Sequence, residues 1–266
     1  MGSSIGAALV TAGHETLWCP EGRSQQSTDR ATEAGLTGVS FDELCSRADI
    51  IMSVCPPSEA ATVALSVVDA GFPGGFVDGN AISSERTVQI AARFKPDQFI
   101  DGGIVGPPAT VPGNTRLYLS GEGATEVAQL FDGSLVDARP IDGGIGAASH
   151  LKMCYAAWTK GSSALLLAVR AAAEAGGVTD SLLAEWDISL PGTVERSSRT
   201  AGATAPKGWR FAGEMEEIAD TLDRAGLPDG FFRSAADLYQ RLEPFKDQLE
   251  PAVTIDQVVS QLLGPA

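Results

Sequence analysis

The sequence has 266 residues, a formal net charge of −15 and a 44% hydrophobic composition. That length allows a substantial core in one large domain or two ordinary ones. The acidic balance argues against a nucleic-acid backbone as partner, since phosphate contacts rest on clustered Lys and Arg. No apolar run approaches bilayer length and no charged-then-apolar segment opens the chain, so no membrane partner is expected and the expected location is cytoplasmic. Cys19, Cys45, Cys55 and Cys154 form no Cys-x-x-Cys pair, and with only His14 and His150 they give no metal-ligand spacing. Reduced, mostly buried thiols are the expectation.

In chain order, Met1 to Gly13 reads as a small-residue helix ended by glycine, and Glu15 to Cys19 as a short strand before the loop Pro20-Glu-Gly-Arg-Ser24. Ala48 to Val54 is a continuous apolar run of buried-strand type, closed by Pro56-Pro57 and followed by a helix over Ala60 to Ala70. Gly75–Asp78 predicts a strand, Ser83 to Phe94 a helix, and Gln98 to Asp101 and Thr115 to Ser120 two more strands. Thr125 to Phe131 reads as helix and Leu135 to Arg139 as the last strand. Strands alternating with helices of this length predict a parallel, helix-covered sheet, whose ligands sit beyond the carboxyl ends of the strands. The loops there are Pro20 to Ser24, Cys55-Pro56-Pro57, Asp78 to Ser83 with Asn80 inside it, and Asp101 to Pro108.

From about Gly146 the strand signal disappears. Helices are expected over Lys152 to Ala175, Leu182 to Trp186, Glu214 to Arg224, Phe231 to Leu242 and Val253 to Leu263, with Thr193 to Pro206 a loop or a supported helix. Trp209, Arg210 and Phe211 read as core at a helix entry, with pocket lining as the alternative. Along the first of these helices Lys152, Ala156, Thr159 and Ser163 fall within about 40° of one line. Leu151, Met153, Ala157, Trp158, Leu165 and Ala168 point elsewhere, which makes a narrow polar stripe on a helix otherwise fit for burial.

Three stretches carry a family resemblance. Met1-Gly2-x-x-Ile5-Gly6-Ala7-x-Leu9 with Ala12-Gly13-His14 resembles the helix that follows the glycine fingerprint in the β-hydroxyacid dehydrogenase and 6-phosphogluconate dehydrogenase superfamily. Asp101 to Gly106 resembles that family's substrate loop, and Gly143 to Lys152 its Gly-x-x-Gly-x-Gly-x-x-x-Lys motif. The second half, around Trp209 to Ile218 and Ala225 to Phe231, is similar to the helical domain of unknown function found in related oxidoreductases.

The resemblance implies a Rossmann-like doubly wound parallel sheet followed by an all-α C-terminal domain, divided as residues 1–145 for NAD(P) binding and 146–266 for substrate and dimerisation. It also implies that the family's first strand and first two glycines have no counterpart in this sequence, which opens inside the motif. Such a chain is expected to show unpaired strand edges and weak dinucleotide binding. The fingerprint needs free N–H groups at a helix N-terminus, which assigns Gly2, Ser3 and Ser4 to the cofactor. At the end of the next strand Arg23 and Ser24 suit the 2′-phosphate of NADP and Glu21 the ribose of NAD, and NADP is preferred. Cys55, Pro56, Pro57 and Asn80 complete the cofactor set.

By the same resemblance the activity is hydride transfer between NAD(P) and a small hydroxy acid, alcohol or carbonyl compound, with Lys152 as general acid/base. Such a lysine needs its pKa lowered, which partial burial produces. Gly103, Val105, Gly106, Asn80, Tyr155 and Thr159 are the expected substrate residues. Three positions depart from the family pattern: its asparagine four residues after the lysine is Ala156, and its loop serine aligns with Val105 and its second glycine with Pro107. A non-catalytic dinucleotide-binding relative and an imine reductase-like enzyme are therefore the alternatives. A homodimer pairing through the C-terminal helices is expected.

Overall fold

The computed structural model describes residues 1–248 and 250–264. It divides into two compact units, Met1–Met153 and Cys154–Ala266, with the boundary inside one long helix.

Unit 1 runs α1 (Gly2–Thr11), β1 (Leu17–Trp18), α2 (Gln25–Glu33), β2 (Thr37–Gly38), α3 (Phe41–Arg47), β3 (Ile50–Ser53), α4 (Ala60–Asp69), β4 (Gly75–Asp78), α5 (Ser84–Ala91), β5 (Phe99–Val105), β6 (Thr115–Ser120), α6 (Ala124–Gln129) and β7 (Val136–Pro140), then the start of α7 (Ala147–Ala175). The strands form two sheets. β1 pairs only with β2, in parallel; the other five lie in the order β3-β4-β5-β6-β7. Ile5 and Ala8 of α1 pack with Val77, Ile104, Leu117 and Leu119 on one face of the larger sheet. Phe76, Ile51, Ile82 and the α4 residues Ala60, Ala64 and Val67 form the core on the other.

The sheet is not wholly parallel: β5 and β6 are antiparallel, with Asp101 opposite Ser120. The physical reason is the connection. Residues 106–114 carry no helix, and a parallel return needs a crossover of about a dozen residues or more. β5 also runs on to Val105, past the expected end at Asp101, because pairing with β6 holds it extended. Gly103 and Val105 are therefore strand residues, and the loop begins at Gly106.

Two facing edges carry no partner strand among the described residues. Asp49 O and Ser53 O accept from Gly75 N and Gly79 N on the β4 side. By alternation the N–H and C=O of Ile50, Met52 and Val54 point the other way. Thr16 O and Trp18 O likewise accept from Thr37 N and Val39 N of the β2 side, which turns the groups of Leu17 and Cys19 outward. A cavity of about 970 Å³ lies between these edges, lined by Leu17, Trp18, Ile50 and Met52 with Ile5 and Leu9 of α1.

Unit 2 continues α7 and adds α8 (Thr179–Ser189), α9 (Thr193–Thr204), α10 (Gly208–Arg224), α11 (Gly230–Gln240) and α12 (Ile255–Leu263). The polar stretch Thr193 to Thr204 is a helix because Ser197, Ala201 and Thr204 recur on one buried face. α12 starts on a capping box between Thr254 and Gln257. Phe211 packs edge-on against buried Tyr239, and Lys246 lies 4.1 Å over the Trp209 ring, so these aromatics belong to packing. Trp158 and Leu165, expected inside, are 73% and 51% exposed, two turns apart on one line of α7. Among the described residues no helix is long and apolar enough to cross a membrane. The four thiols are free, and none is buried; Cys154 is exposed because its direction on α7 faces outward.

Candidate active site

At the N-terminus of α7 the chain solves a capping problem in an unusual way. A helix start leaves its first N–H groups without intrahelical acceptors. The residue before α7 is Gly146, which has no side chain to supply one. The acceptors come from the sheet. Asp101 Oδ2 accepts from Gly146 N and Ser149 N, both at 3.0 Å, and from Ser120 Oγ at 3.0 Å. Asp101 Oδ1 accepts from Ser149 Oγ at 2.6 Å, and Ser120 Oγ accepts from Ala148 N at 3.1 Å. Asp101, Ser120 and Ser149 are all buried, and a carboxylate here also meets the positive end of a long helix.

Lys152 stands one turn further along. It is half-buried, and its Cβ would be 3.2 Å from a Cβ added at Gly103. The same added atom would lie 2.6 Å from Ala148 O, so only glycine lets α7 approach β5 this closely. Gly106 ends the strand at φ 115°, where a Cβ would meet Asn114 O at 2.1 Å. Val105 is buried beside it. Tyr155, exposed, and Thr159, half-buried, lie further along α7, with Thr159 Oγ1 donating to Tyr155 O at 3.0 Å.

Asn80 ties two strand-end loops together. Its Oδ1 accepts from Cys55 N at 2.6 Å and its Nδ2 donates to Ser53 Oγ at 3.0 Å, while its own N–H donates to Asp78 Oδ1 at 2.9 Å. Asp78 Oδ2 is buried without a hydrogen-bond partner. Burial pushes the Asp78 carboxyl up to about 6, with the hydrogen bond from Asn80 opposing and the Asp101 charge adding to the rise. Burial likewise pushes the Cys55 thiol up, against the hydrogen bond to Ser53, which disfavours a thiolate.

Of the expected cofactor residues, Gly2, Ser3, Arg23 and Cys55 line the same cavity, at the end where the carboxyl ends of β1 and β3 meet the start of α1. Ser4, Ser24, Pro56, Pro57 and Asn80 are not among its lining residues. Ser4 Oγ accepts from Ala109 N at 2.6 Å, and Ser24 caps α2 by accepting from Ser27 N. These two hydroxyls therefore have local work in the fold. A dinucleotide fits this end of the cavity in kind. α1 has no side-chain cap on its first turn, Gly2 and Ser3 line the cavity there, and Arg23 is an exposed cation in the loop after β1. Sequence reasoning missed Ser120 and Ser149, whose signal is faint. The antiparallel register that sets Ser120 opposite Asp101 is not written in either segment alone.

Across the whole chain the fold aligns with the 3-hydroxyisobutyrate dehydrogenase of Mycobacterium tuberculosis (TM-score 0.69, 17% identity, 99% of this chain and 96% of that one). The fold is that of the hydroxyacid dehydrogenases. A conserved protein of unknown function, itself described as structurally similar to 3-hydroxyacid dehydrogenases, aligns at TM-score 0.67 with 23% identity over 91% of this chain and 94% of its own. The reductive aminase of Aspergillus terreus, solved with NADPH, shares the hydroxyacid dehydrogenase fold more distantly (TM-score 0.54, 14% identity, 97% and 94%). Residues 173–242, within unit 2, match the domain of unknown function DUF1932. An uncharacterized 28.5 kDa protein from Methanothermus fervidus is 28% identical over 170 residues, 64% of this chain and 66% of that protein, just under two thirds of its length.

Proposed function

We propose that this chain is an NAD(P)-dependent oxidoreductase that moves a hydride between a nicotinamide cofactor and a small hydroxy acid, alcohol or carbonyl compound, with Lys152 as the general acid/base. The observation that carries the reading is the position of Lys152. It is a half-buried cation on the first turns of α7, against a glycine of β5, in a fold whose characterised members include a 3-hydroxyisobutyrate dehydrogenase. Residues 1–145 are assigned to cofactor binding and 146–266 to the helical substrate and dimerisation domain.

The nicotinamide, when bound, supplies or takes the hydride. The chain's own residues do the rest. The first-turn N–H groups of Gly2 and Ser3, with Ser4 fixing the turn, would hold the pyrophosphate, and Arg23 with Ser24 would hold the 2′-phosphate. Cys55, Pro56 and Pro57 would contact the cofactor from their loop, which Asn80 keeps in place. Gly103, Val105 and Gly106 make the substrate floor, with Tyr155 and Thr159 as polar contacts. Lys152 Nζ donates a proton to the carbonyl oxygen as hydride reaches carbon, or takes it from the hydroxyl in reverse.

Screening small aldehydes, keto acids and hydroxy acids with NADPH and NADH tests the reading. Lys152→Ala should remove turnover and leave NADPH affinity within a factor of two. Absence of turnover with every substrate, together with unchanged NADPH binding, would make the chain a non-catalytic dinucleotide-binding relative. The likeness to a reductive aminase supports a second reading as an imine reductase, which turnover dependent on added amine would establish. Arg23→Ala should raise the KM for NADPH far more than that for NADH. Exposed Trp158 and Leu165 support pairing of two copies through α7, and a monomeric mass by light scattering would overturn that part.

A further inference from the structure

We propose that Asp101 is the positioning residue for the proton-transfer lysine: its buried carboxylate, by capping α7 from the sheet, sets where along β5 Lys152 stands. The inference rests on the reading of Lys152 given above and deepens it.

A cap on a neighbouring residue fixes only where a helix begins. A cap from another element also fixes where the helix stands. All four groups that meet Asp101 are donors, so the carboxylate acts purely as acceptor, and three of the four belong to Gly146 and Ser149. Ser120, opposite Asp101 in the β5–β6 ladder, adds the bond to Ala148 N. The register of two strands is thereby transmitted to the first turn of α7.

The geometry then carries through to the lysine. Asp101 and Gly103 are two residues apart on a strand, so their side-chain directions share one face. Ser149 and Lys152 are three apart on a helix and share one side of it. The clamp Asp101–Ser149 and the contact Gly103–Lys152 are thus two successive rungs between the same strand and the same helix. A slip of α7 by one residue would rotate Lys152 by about 100° off the strand. Thr87 Oγ1 of α5 lies 2.9 Å from Ser149 Oγ and donates to Ser83 O, which braces the clamp from the far side.

Two variants separate positioning from charge and from folding. Asp101→Asn removes the acceptor charge while keeping shape; Ser149→Ala removes the 2.6 Å bond and the Thr87 contact while leaving the charge and the backbone bonds. The readout is the resonance of Lys152 after reductive 13C-methylation of the five lysines, assigned with Lys152→Arg and followed through a pH titration. In both variants the Lys152 titration midpoint should move by at least half a pH unit, with Lys95, Lys160, Lys207 and Lys246 unchanged. In turnover Asp101→Asn should lower kcat by tenfold or more with the KM for NADPH within a factor of two. Should Asp101→Asn fail to fold, Ser149→Ala alone decides. A Lys152 midpoint unmoved in Ser149→Ala overturns the proposal, whatever the activity. A moved midpoint with no turnover in the wild-type chain would support the clamp and remove only the dehydrogenase reading.

Discussion

Gly103 and Lys152 stand so close that a single methyl between them has no room: a Cβ at Gly103 would lie 3.2 Å from Lys152 Cβ and 2.6 Å from Ala148 O. The nearer atom belongs to a helix backbone, which cannot swing aside. Gly103→Ala is expected to push α7 off β5 at a cost of about 1–3 kcal/mol, read as a lower urea midpoint with an unchanged slope. It should also lower kcat more than it raises the KM for NADPH, since the lysine moves and the dinucleotide end does not.

Asp78 gives a pH prediction of definite sign. Its carboxyl is raised from 3.8 to about 6 in the native state by burial, so between pH 6 and 4 the native chain takes up a proton that the unfolded chain does not. That group's contribution therefore favours the native state as pH falls through 6 and levels off below about 4. At neutral pH the buried charge costs about 2–3 kcal/mol. Asp78→Asn should remove this dependence. Urea midpoints of both chains at pH 7 and pH 5 test it: the variant's advantage should be large at pH 7 and shrink at pH 5, and equal advantage at both would contradict the assignment.

Asn80 holds Cys55 N and Ser53 Oγ from beyond the end of β4. Asn80→Ala leaves those buried polar groups unmatched and should destabilise unit 1 by about 1–3 kcal/mol. Asn80→Asp retains the acceptor for Cys55 N but loses the donor to Ser53 Oγ and buries a second carboxylate beside Asp78, so at pH 7 it should cost at least as much as the alanine change. Thermal unfolding of the two variants side by side makes the comparison.

In unit 2 the ion pair between Lys160 on α7 and Glu214 on α10 is largely shielded from water, and Lys160 Nζ also lies 4.4 Å over the Phe211 ring. Removing one partner strands a buried charge, so Glu214→Gln should cost about 3 kcal/mol. The double change Lys160→Met with Glu214→Leu should recover most of it. A double variant no more stable than the single one would mean that packing around Phe211 and Tyr239, rather than the unpaired charge, sets the cost.

Much of the fold is readable in the sequence because burial leaves a local trace. The apolar runs at Ile50–Ser53 and Gly75–Asp78 and the long periodic stretch of α7 each announce their element. Between Gln25 and Arg47 the only local signals are helix starts, Ser24 at α2 and Ser40-Phe-Asp-Glu43 at α3, because these short helices bury little apolar surface. The reversal at β6 depends on the length and content of residues 106–114, and the cap from Asp101 depends on that reversal. Lys152 was legible as one member of a motif. Its clamp was not, since Asp101, Ser120 and Ser149 come together only through the sheet register.

The open interval between β1 and β3 has a consequence for how unit 1 breathes. No backbone ladder among the described residues joins β1 and β2 to the larger sheet, so the two pieces need not open together. Native-state hydrogen exchange should then divide the unit into two cooperative blocks. The amides of Thr37 and Val39, which bond to Thr16 O and Trp18 O, should exchange by a low-energy opening of the small block. Those of Phe76 and Leu117, deep in the five-stranded sheet, should wait for global unfolding.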